Sequence, residues 1–485
     1  MYNIFMTLNT LHFTQSSYLE LDNEFYSISH ATPLDNPYLI SFNTKAAKRI
    51  HLDSDTKEDP KFIELLNGTY TPKGCRLYSM CYAGYQFGHY ASRLGDGRVH
   101  HLGSINGWHL QTKGSGETLY SRTADGRAAL PSSIREYLMS EAMHHLGIPT
   151  TRALGIIGSK TKILRNNIEY AAIVMRMSPS WIRFGNFEYF YYLKEYDKLR
   201  DLADYVIAES YPHLKEEEDK YFKFFTEVLE RTASLVAAWQ GIGFCHGVLN
   251  TDNMSIIGLT IDYGPFAMMD EFQFNFVSNS TDKAGRYAYG EQPNVVYWNL
   301  TKLAQALSPL IDSSRMDKKL KEYGQSIYPN AYIDVMCKKL GLEYRFPRDR
   351  QLITSLIGTL QDAYIDYTQF FRTLSRYDGE RMSIFELAMN PIPFDKWLSM
   401  YDTRLAKESR SQKDRHTAML QTNPKYVLKN YMLDKAITLA KSGNFTMVER
   451  LLHIAQHPYD ELPEYEKFAE ETPEGYKNIT LSCSS

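Results

Sequence analysis

The chain has 485 residues, 43% of them hydrophobic and 23% charged, with 36 Tyr and 24 Phe. This is the composition of a globular protein with enough apolar material for a large core, which excludes a disordered or fibrous chain, and the length suggests about two to four domains or lobes. With 54 basic and 57 acidic residues the formal net charge is −3, so no global basic excess argues for nucleic acid as a partner. Cysteines at 75, 81, 245, 337 and 483 are an odd number without CxxC spacing, so neither a zinc site nor a disulfide scaffold is indicated. Residues 1–19 lack Lys and Arg, unlike a secretory signal or a mitochondrial presequence, and the weakly polar run 233–245 is too short to span a bilayer. A reducing, cytoplasmic setting without membrane contact is expected.

In chain order, 1–66 reads as an N-terminal extension of short mixed elements with turn signals at 31–37. From 67 to 178, Gly-rich turns alternate with strand-like runs such as 169–176, interrupted by a helical segment at 133–146. Ser132 or Ser133 can cap that helix, and Glu136 would complete a capping box with Ser133. Beyond 179 the pattern turns helical, with apolar residues at helical spacing over 221–240. The run 254–261 reads as two short strands around Gly258, a hairpin that would bring Asn253 and Asp262 to one end. Helical patterns continue through 345–399 and 430–453, and the charge clusters 215–220 and 404–415 read as solvated helix faces.

The chemistry concentrates in His246-Gly-Val-Leu-Asn-Thr-Asp-Asn253 and, nine residues on, Asp262-Tyr-Gly264. In protein kinases a His-led loop carries a catalytic Asp and a metal-binding Asn, and a later Asp-Phe-Gly supplies the second metal ligand. Asn253 and Asp262 match the two ligand positions, and both are hard oxygen donors suited to Mg²⁺ or Mn²⁺. The position of the catalytic Asp is Val248, which cannot accept a proton, and Asp252 is the nearest replacement. Lys113 fits the strand lysine that contacts phosphate, with Glu136 as the helix acid that orients it and Glu141 as competitor. Gly95, Gly97 and Arg98 form a second candidate phosphate site, glycine admitting close backbone approach and Arg supplying a forked cation.

The stretch 239–266 closely resembles the signature of the selenoprotein O family, pseudokinase-fold proteins that transfer AMP from ATP to protein hydroxyls. The resemblance runs nearly end to end, through Tyr82-Ala-Gly-Tyr-Gln-Phe-Gly88, Leu94-Gly-Asp-Gly-Arg98, Lys113-Gly-Ser-Gly116, Tyr120-Ser-Arg122, Asp125-Gly-Arg127, Ser133-Ile-Arg-Glu136, Asn423-Pro424, Asn430-Tyr431 and Ser482-Cys-Ser-Ser485. It implies an α+β, bilobal protein-kinase-like fold: a mainly β small lobe at 67–178, a helical large lobe at 179–400, and extensions at 1–66 and 401–485. It also implies that Gly95, Gly97, Arg98, Asp125, Gly126, Arg176 and Arg183 serve nucleotide binding with Lys113, Glu136 and Asp262, that Asp252 is the general base, and that ATP lies flipped relative to a kinase. The segment between Arg98 and Lys113 is shorter than the family pattern. Cys483 stands at the family's terminal Sec/Cys position and is a candidate for a redox partner. Ser278 occupies the place where some members carry a Cys able to pair with the tail. The expected activity is metal-dependent protein adenylylation of Ser, Thr or Tyr. A protein or small-molecule kinase and a non-catalytic ATP-binding scaffold are the alternatives.

Overall fold

The computed structural model describes residues 6–8, 10–477 and 481–482, so Cys483 lies outside the described residues. The strands are β1 (Tyr26–Ile28), β2 (Tyr38–Phe42), β3 (Tyr78–Met80), β4 (Gly84–Gln86), β5 (His89–Ala91), β6 (Val99–Ile105), β7 (Trp108–Lys113), β8 (Ala128–Ala129), β9 (Arg152–Leu164), β10 (Ile168–Ser178), β11 (Phe244–Cys245) and β12 (Ala267–Met268). Eight of them form a sheet in the order β1-β3-β6-β7-β10-β9-β2, with β8 added to β10. Its pairings are antiparallel. Helix outweighs strand, 47% against 15%, so the fold is a mixed one in which an antiparallel sheet is covered by a larger helical mass. Both ends of the sheet order, β1 and β2, come from the first 66 residues, which thus supply its two edge strands.

The sheet is covered on both faces because β9 and β10 alternate between two apolar clusters. Ala153, Ile156, Ala172 and Val174 join the cluster of α3 (Leu130–His145), which contributes Ile134, Tyr137 and Leu138. Their neighbours Leu154, Ile157, Ile173 and Met175 point the other way, onto α1 (Thr44–Arg49) and α2 (Pro60–Asn67) through Ala46, Phe62 and Leu66. In β10 the two-residue period of a strand makes that division, and in β9 the register shift between Ala153 and Gly155 changes which residues face each side. Helix α3 begins three residues before the expected start. Pro131 presets its first turn, Ala129 is the N-cap, and no side chain caps it. Ser132 donates to the Ala129 carbonyl and the Ser133 hydroxyl is buried without a partner, so the expected capping box is not made.

Helices α4 (Phe184–Leu193), α5 (Tyr196–Ser210), α6 (Lys220–Ile242) and α7 (Gln292–Leu307) follow the sheet. Helix α6 realises the 221–240 pattern and ends at Gly243, whose φ of +73° closes the helix as glycine allows. The chain then enters β11, which pairs with β12, so the ribbon pinches together the two ends of the segment carrying both candidate motifs. The expected hairpin at 254–261 does not form. Ser255 bridges to Arg183 and Thr260 to Thr150, so each arm finds its backbone partner in another element and not in the other arm. The turn at Gly258 (φ +72°) nevertheless returns Asp262 to the side of Asn253.

The 430–453 pattern is two helices, Asn430–Lys441 and Thr446–Ala455, separated at Gly443 with φ +82°. The charge clusters are largely solvated but only in part on helices: 405–414 is exposed or half-buried between and at the ends of two helices, and only its flanking arginines are buried. Residues 215–218 form an exposed turn. Arg404 and Arg415 are buried: Arg404 Nε lies 2.6 Å from Asp349 Oδ1, and Arg415 donates to the Tyr377 carbonyl at 2.7 Å. Cys81, Cys245 and Cys337 are buried and Cys75 is half-buried, as packed free thiols. Among the described residues, no helix is long and apolar enough to cross a membrane.

Candidate active site

A cavity of about 890 Å³ is lined by eleven of the twelve residues singled out from sequence: Gly95, Gly97, Arg98, Lys113, Asp125, Gly126, Glu136, Arg183, Asp252, Asn253 and Asp262. The twelfth, Arg176, lies behind the wall. Strand β7 delivers Lys113 at its last residue, where Nζ sits 2.9 Å from Glu136 Oε2 and 2.9 Å from Asp262 Oδ1. Arg176 on β10 reaches the same two carboxylates at 2.6 and 2.7 Å and also takes the Gln111 side-chain oxygen at 3.0 Å. Its side chain is 1% exposed, so it braces the cluster and does not touch cavity contents. Arg183 completes the cluster, donating to Asp262 Oδ2 and, at 2.7 Å, to the Asp252 carbonyl.

Burial opposes the charge on Asp262, yet Arg183, Lys113 and Arg176 hold its carboxyl well below the usual carboxylate range. Glu136 follows the same balance: burial raises it, and Arg176 and Lys113 bring it below its ordinary value. The competitor Glu141 is settled by geometry. It faces away, clamped by Arg152 Nε and Nη2 at 2.5 and 2.6 Å.

Asp252 is the contrasting acid. It is 7% exposed, its Oδ1 is buried without a hydrogen-bond partner, and burial pushes its carboxyl up to about 6. Oδ1 lies against Gly84, where a Cβ would fall 2.8 Å from it. The neighbouring Thr251 donates to Glu188 of α4 at 2.7 Å and accepts the Tyr85 N–H at 2.7 Å, tying the loop to α4 and β4. Burial pushes Glu188 up to about 8. His246 is a structural residue, donating through Nε2 to the Ile261 carbonyl at 3.1 Å, with burial lowering its basicity.

The glycine-rich segments also line the cavity. Gly95 has φ +78°, and a side chain there would run into the Tyr120 ring. Asp96 secures this turn by accepting the Met80 N–H at 2.9 Å and facing His101 Nε2 at 2.8 Å. Gly126, at φ +65°, lies against the Gly116 backbone with no room for a Cβ. Asp125 is compensated by Arg165, two contacts of 2.8 Å, so it braces this loop. Arg98 is exposed, and among the described residues its side chain donates to the Arg127 carbonyl at 3.4 Å and forms no ion pair, so its charge remains available to the cavity.

Three further parts of the site lie beyond the residues singled out from sequence. Arg122 lines the cavity with φ +59°; its place in the Tyr-Ser-Arg motif was the available signal. Tyr82 lies under the Arg183 guanidinium at 5.0 Å. Near the chain end Leu481 bridges to Asn279, and Ser482 lines the cavity. Ser278 is buried and donates to Cys245 Sγ at 3.4 Å, so no thiol stands at that position. For a divalent cation the donor set suits a hard ion: Asn253 and Asp262 share one wall beside the unpartnered Asp252 Oδ1.

The family model described as "Protein adenylyltransferase SelO" matches residues 7–456. The "Protein nucleotidyltransferase YdiU" of Myxococcus xanthus (strain DK1622) is 42% identical over 488 residues, covering 99% of this chain and 100% of that protein. Its namesake in Thioalkalivibrio sulfidiphilus (strain HL-EbGR7) is 44% identical over 97% of this chain and 98% of that protein. The Thiobacillus denitrificans (strain ATCC 25259 / T1) protein of the same name is 43% identical over 99% and 100%. With a site of this composition and likeness along essentially its whole length, the chain belongs to the SelO family and is a nucleotidyltransferase.

Proposed function

We propose that this nucleotidyltransferase is a metal-dependent protein adenylyltransferase on a kinase-like bilobal plan, with 67–178 as small lobe and 179–400 as large lobe. It moves AMP from ATP to Ser, Thr or Tyr hydroxyls and releases pyrophosphate. The observation that carries this reading is the buried, unpartnered Asp252 Oδ1 beside a wall of Lys113, Arg183 and Asp262, with Val248 where a kinase holds its catalytic Asp.

In this mechanism Arg98, Lys113 and Arg183 receive the triphosphate, and the glycine turns at Gly95, Gly97 and Gly126 let the backbone approach it. The Asp252 carboxylate accepts the proton of the acceptor hydroxyl as its oxygen bonds to the α-phosphorus. The bond from that phosphorus to the bridging oxygen breaks, and its electron pair leaves with pyrophosphate. Arg183 couples the two halves of the site, since one guanidinium nitrogen contacts both the Asp252 carbonyl and the Asp262 carboxylate. Asn253 and Asp262 would hold Mg²⁺ or Mn²⁺, which supplies charge neutralisation for the triphosphate oxygens.

ATP labelled at the α or the γ position tests this reading. The α-label is expected on protein acceptors and the γ-label in released pyrophosphate. Protein-bound γ-label without α-label would make the enzyme a kinase.

A further inference from the structure

Outside the nucleotide cavity, the candidate base is flanked by a surface of aromatic rings and cations. Tyr85 of β4, Tyr90 of β5 and Tyr192 of α4 form its aromatic side, with Tyr90 and Tyr192 centroids 4.1 Å apart and the Tyr85 and Tyr192 hydroxyls at 2.5 Å. Trp298 of α7 meets Tyr85 edge-on at 5.2 Å. Two cations lie over these rings: Arg286 is 4.6 Å from the Trp298 centroid, and Lys302 is 5.1 Å from Trp298 and 4.8 Å from Tyr85. Neither cation is ion-paired with a carboxylate among the described residues, and Arg286 Nε is buried without a hydrogen-bond partner. Lys302 in turn acts on Glu188, which is buried and accepts the Thr251 hydroxyl.

This surface is joined directly to the catalytic loop. Tyr85 donates its N–H to Thr251, the residue before Asp252, and Phe87 donates to Asn250 Oδ1 at 3.2 Å and to the Tyr287 hydroxyl at 2.9 Å. A Cβ on Gly84 would sit 2.8 Å from Asp252 Oδ1, so β4 passes against the base itself. None of Tyr85, Tyr90, Tyr192, Arg286, Trp298 and Lys302 lines the nucleotide cavity.

We infer that this surface docks the protein acceptor and that the segment it takes is acidic around the hydroxyl to be modified. The inference rests on the adenylyl-transfer reading above, since it gives that site its substrate class. The charge is complementary: two cations held in place by aromatic rings and making no ion pair with a carboxylate among the described residues are a ready receptor for Asp or Glu side chains. Single-stranded nucleic acid is the poorer fit, because the cations and ring-edge contacts occupy the Trp298 and Tyr85 faces on which bases would stack.

The probe is a fluorescein-labelled random Glu/Tyr copolymer, with a Lys/Tyr copolymer and an oligonucleotide of mixed sequence as comparisons. Anisotropy without nucleotide should show tight binding of the Glu/Tyr copolymer alone. Arg286→Gln with Lys302→Gln should weaken that binding at least tenfold and raise KM for it in α-label transfer, with kcat and ATP binding little changed. Arg286→Lys should retain binding, which separates charge from folding. Equal binding of the Lys/Tyr copolymer, preference for the oligonucleotide, or unchanged affinity in the folded double variant would overturn the inference. If acidic binding depends on Arg286 and Lys302 but no acceptor takes α-label, the docking surface stands and the transfer reading fails. If acidic acceptors are labelled irrespective of both cations, the reverse holds.

Discussion

Asp252, buried, and Asp262, half-buried, are ten residues apart and line the same cavity, yet their neighbours drive them in opposite directions. Asp262 faces three cations and stays ionised, whereas at Asp252 burial outweighs the opposing pull of Arg183 and lifts its carboxyl to about 6. Two acids with divergent environments are suited to two roles, and the proposed mechanism uses one as a fixed charge and the other as a proton acceptor. Asp252→Asn keeps the shape and removes the basicity. We expect α-label transfer to fall roughly 10²- to 10⁴-fold while binding of a fluorescent ATP analogue is retained; an unchanged transfer rate would remove Asp252 from the base role. Surroundings likewise decide the state of Arg404 and Arg415. Their sequence neighbourhood is strongly charged, but both are buried because Asp349 and the Tyr377 carbonyl lie across from them in space.

At the scale of elements, strand β4 and the helix Tyr328–Lys339 each carry a test. Gly84 in β4 leaves room for Asp252, and an added Cβ would fall 2.8 Å from Oδ1 and 2.9 Å from the Asp252 Cβ. Gly84→Ala should therefore displace the base and lower kcat on the order of 100-fold, with the thermal transition and nucleotide binding near those of the unmodified protein. Lys339 closes the helix against Phe371, its ammonium 3.9 Å from that ring's centroid, and burial pushes its pKa down to about 7. An unfolded lysine titrates near 10.4, at about the ordinary value. Between the two values the unfolded chain binds the extra proton, so this residue makes stability rise with pH, and below the folded value its penalty is complete. Lys339→Met should raise Tm at pH 7 and flatten the Tm profile between pH 7 and 10. A profile with the same slope in the variant would show that the dependence arises elsewhere.

For the whole molecule, the C-terminal helices are part of the core that positions the site. Leu433, Ile437, Val448, Leu451, Leu452 and Ile454 are buried in the same cluster as Ile134 and Tyr137 of α3, the helix that presents Glu136 to Lys113. Arg135 of α3 further links the two regions, donating to the Phe266 carbonyl at 2.8 Å and to Asn430 Oδ1 at 3.4 Å. Each such aliphatic side chain contributes roughly 1.5–3 kcal/mol, a sum comparable with the stability of a typical domain. A chain ending at residue 423 should lose its cooperative thermal transition, and retention of a sharp unfolding transition would show that the sheet and α3 fold without these helices.

The sequence by itself determined the membership of the site. Asn253, Asp262, Lys113, Gly95, Gly97 and Gly126 sit in short motifs that read as hard oxygen donors, a cation for phosphate and close backbone approach, and the cavity gathers all of them. Strand β10 and helix α6 were legible for a simpler reason: their periodicity reflects a buried face that the element carries along its own length. What only the tertiary structure decided is who partners whom. Glu136 and Glu141 lie on one helix, and the choice between them depends on Lys113 and Arg176 arriving from two strands while Arg152 claims the other. Arg176 turned out to be a brace and not a cavity wall, because β10 places it behind the pocket between two carboxylates. The 254–261 segment did not pair with itself because Arg183 and Thr150 offered its backbone better-placed partners. Such outcomes are set by contacts between residues far apart in the chain, which local propensity and spacing do not encode.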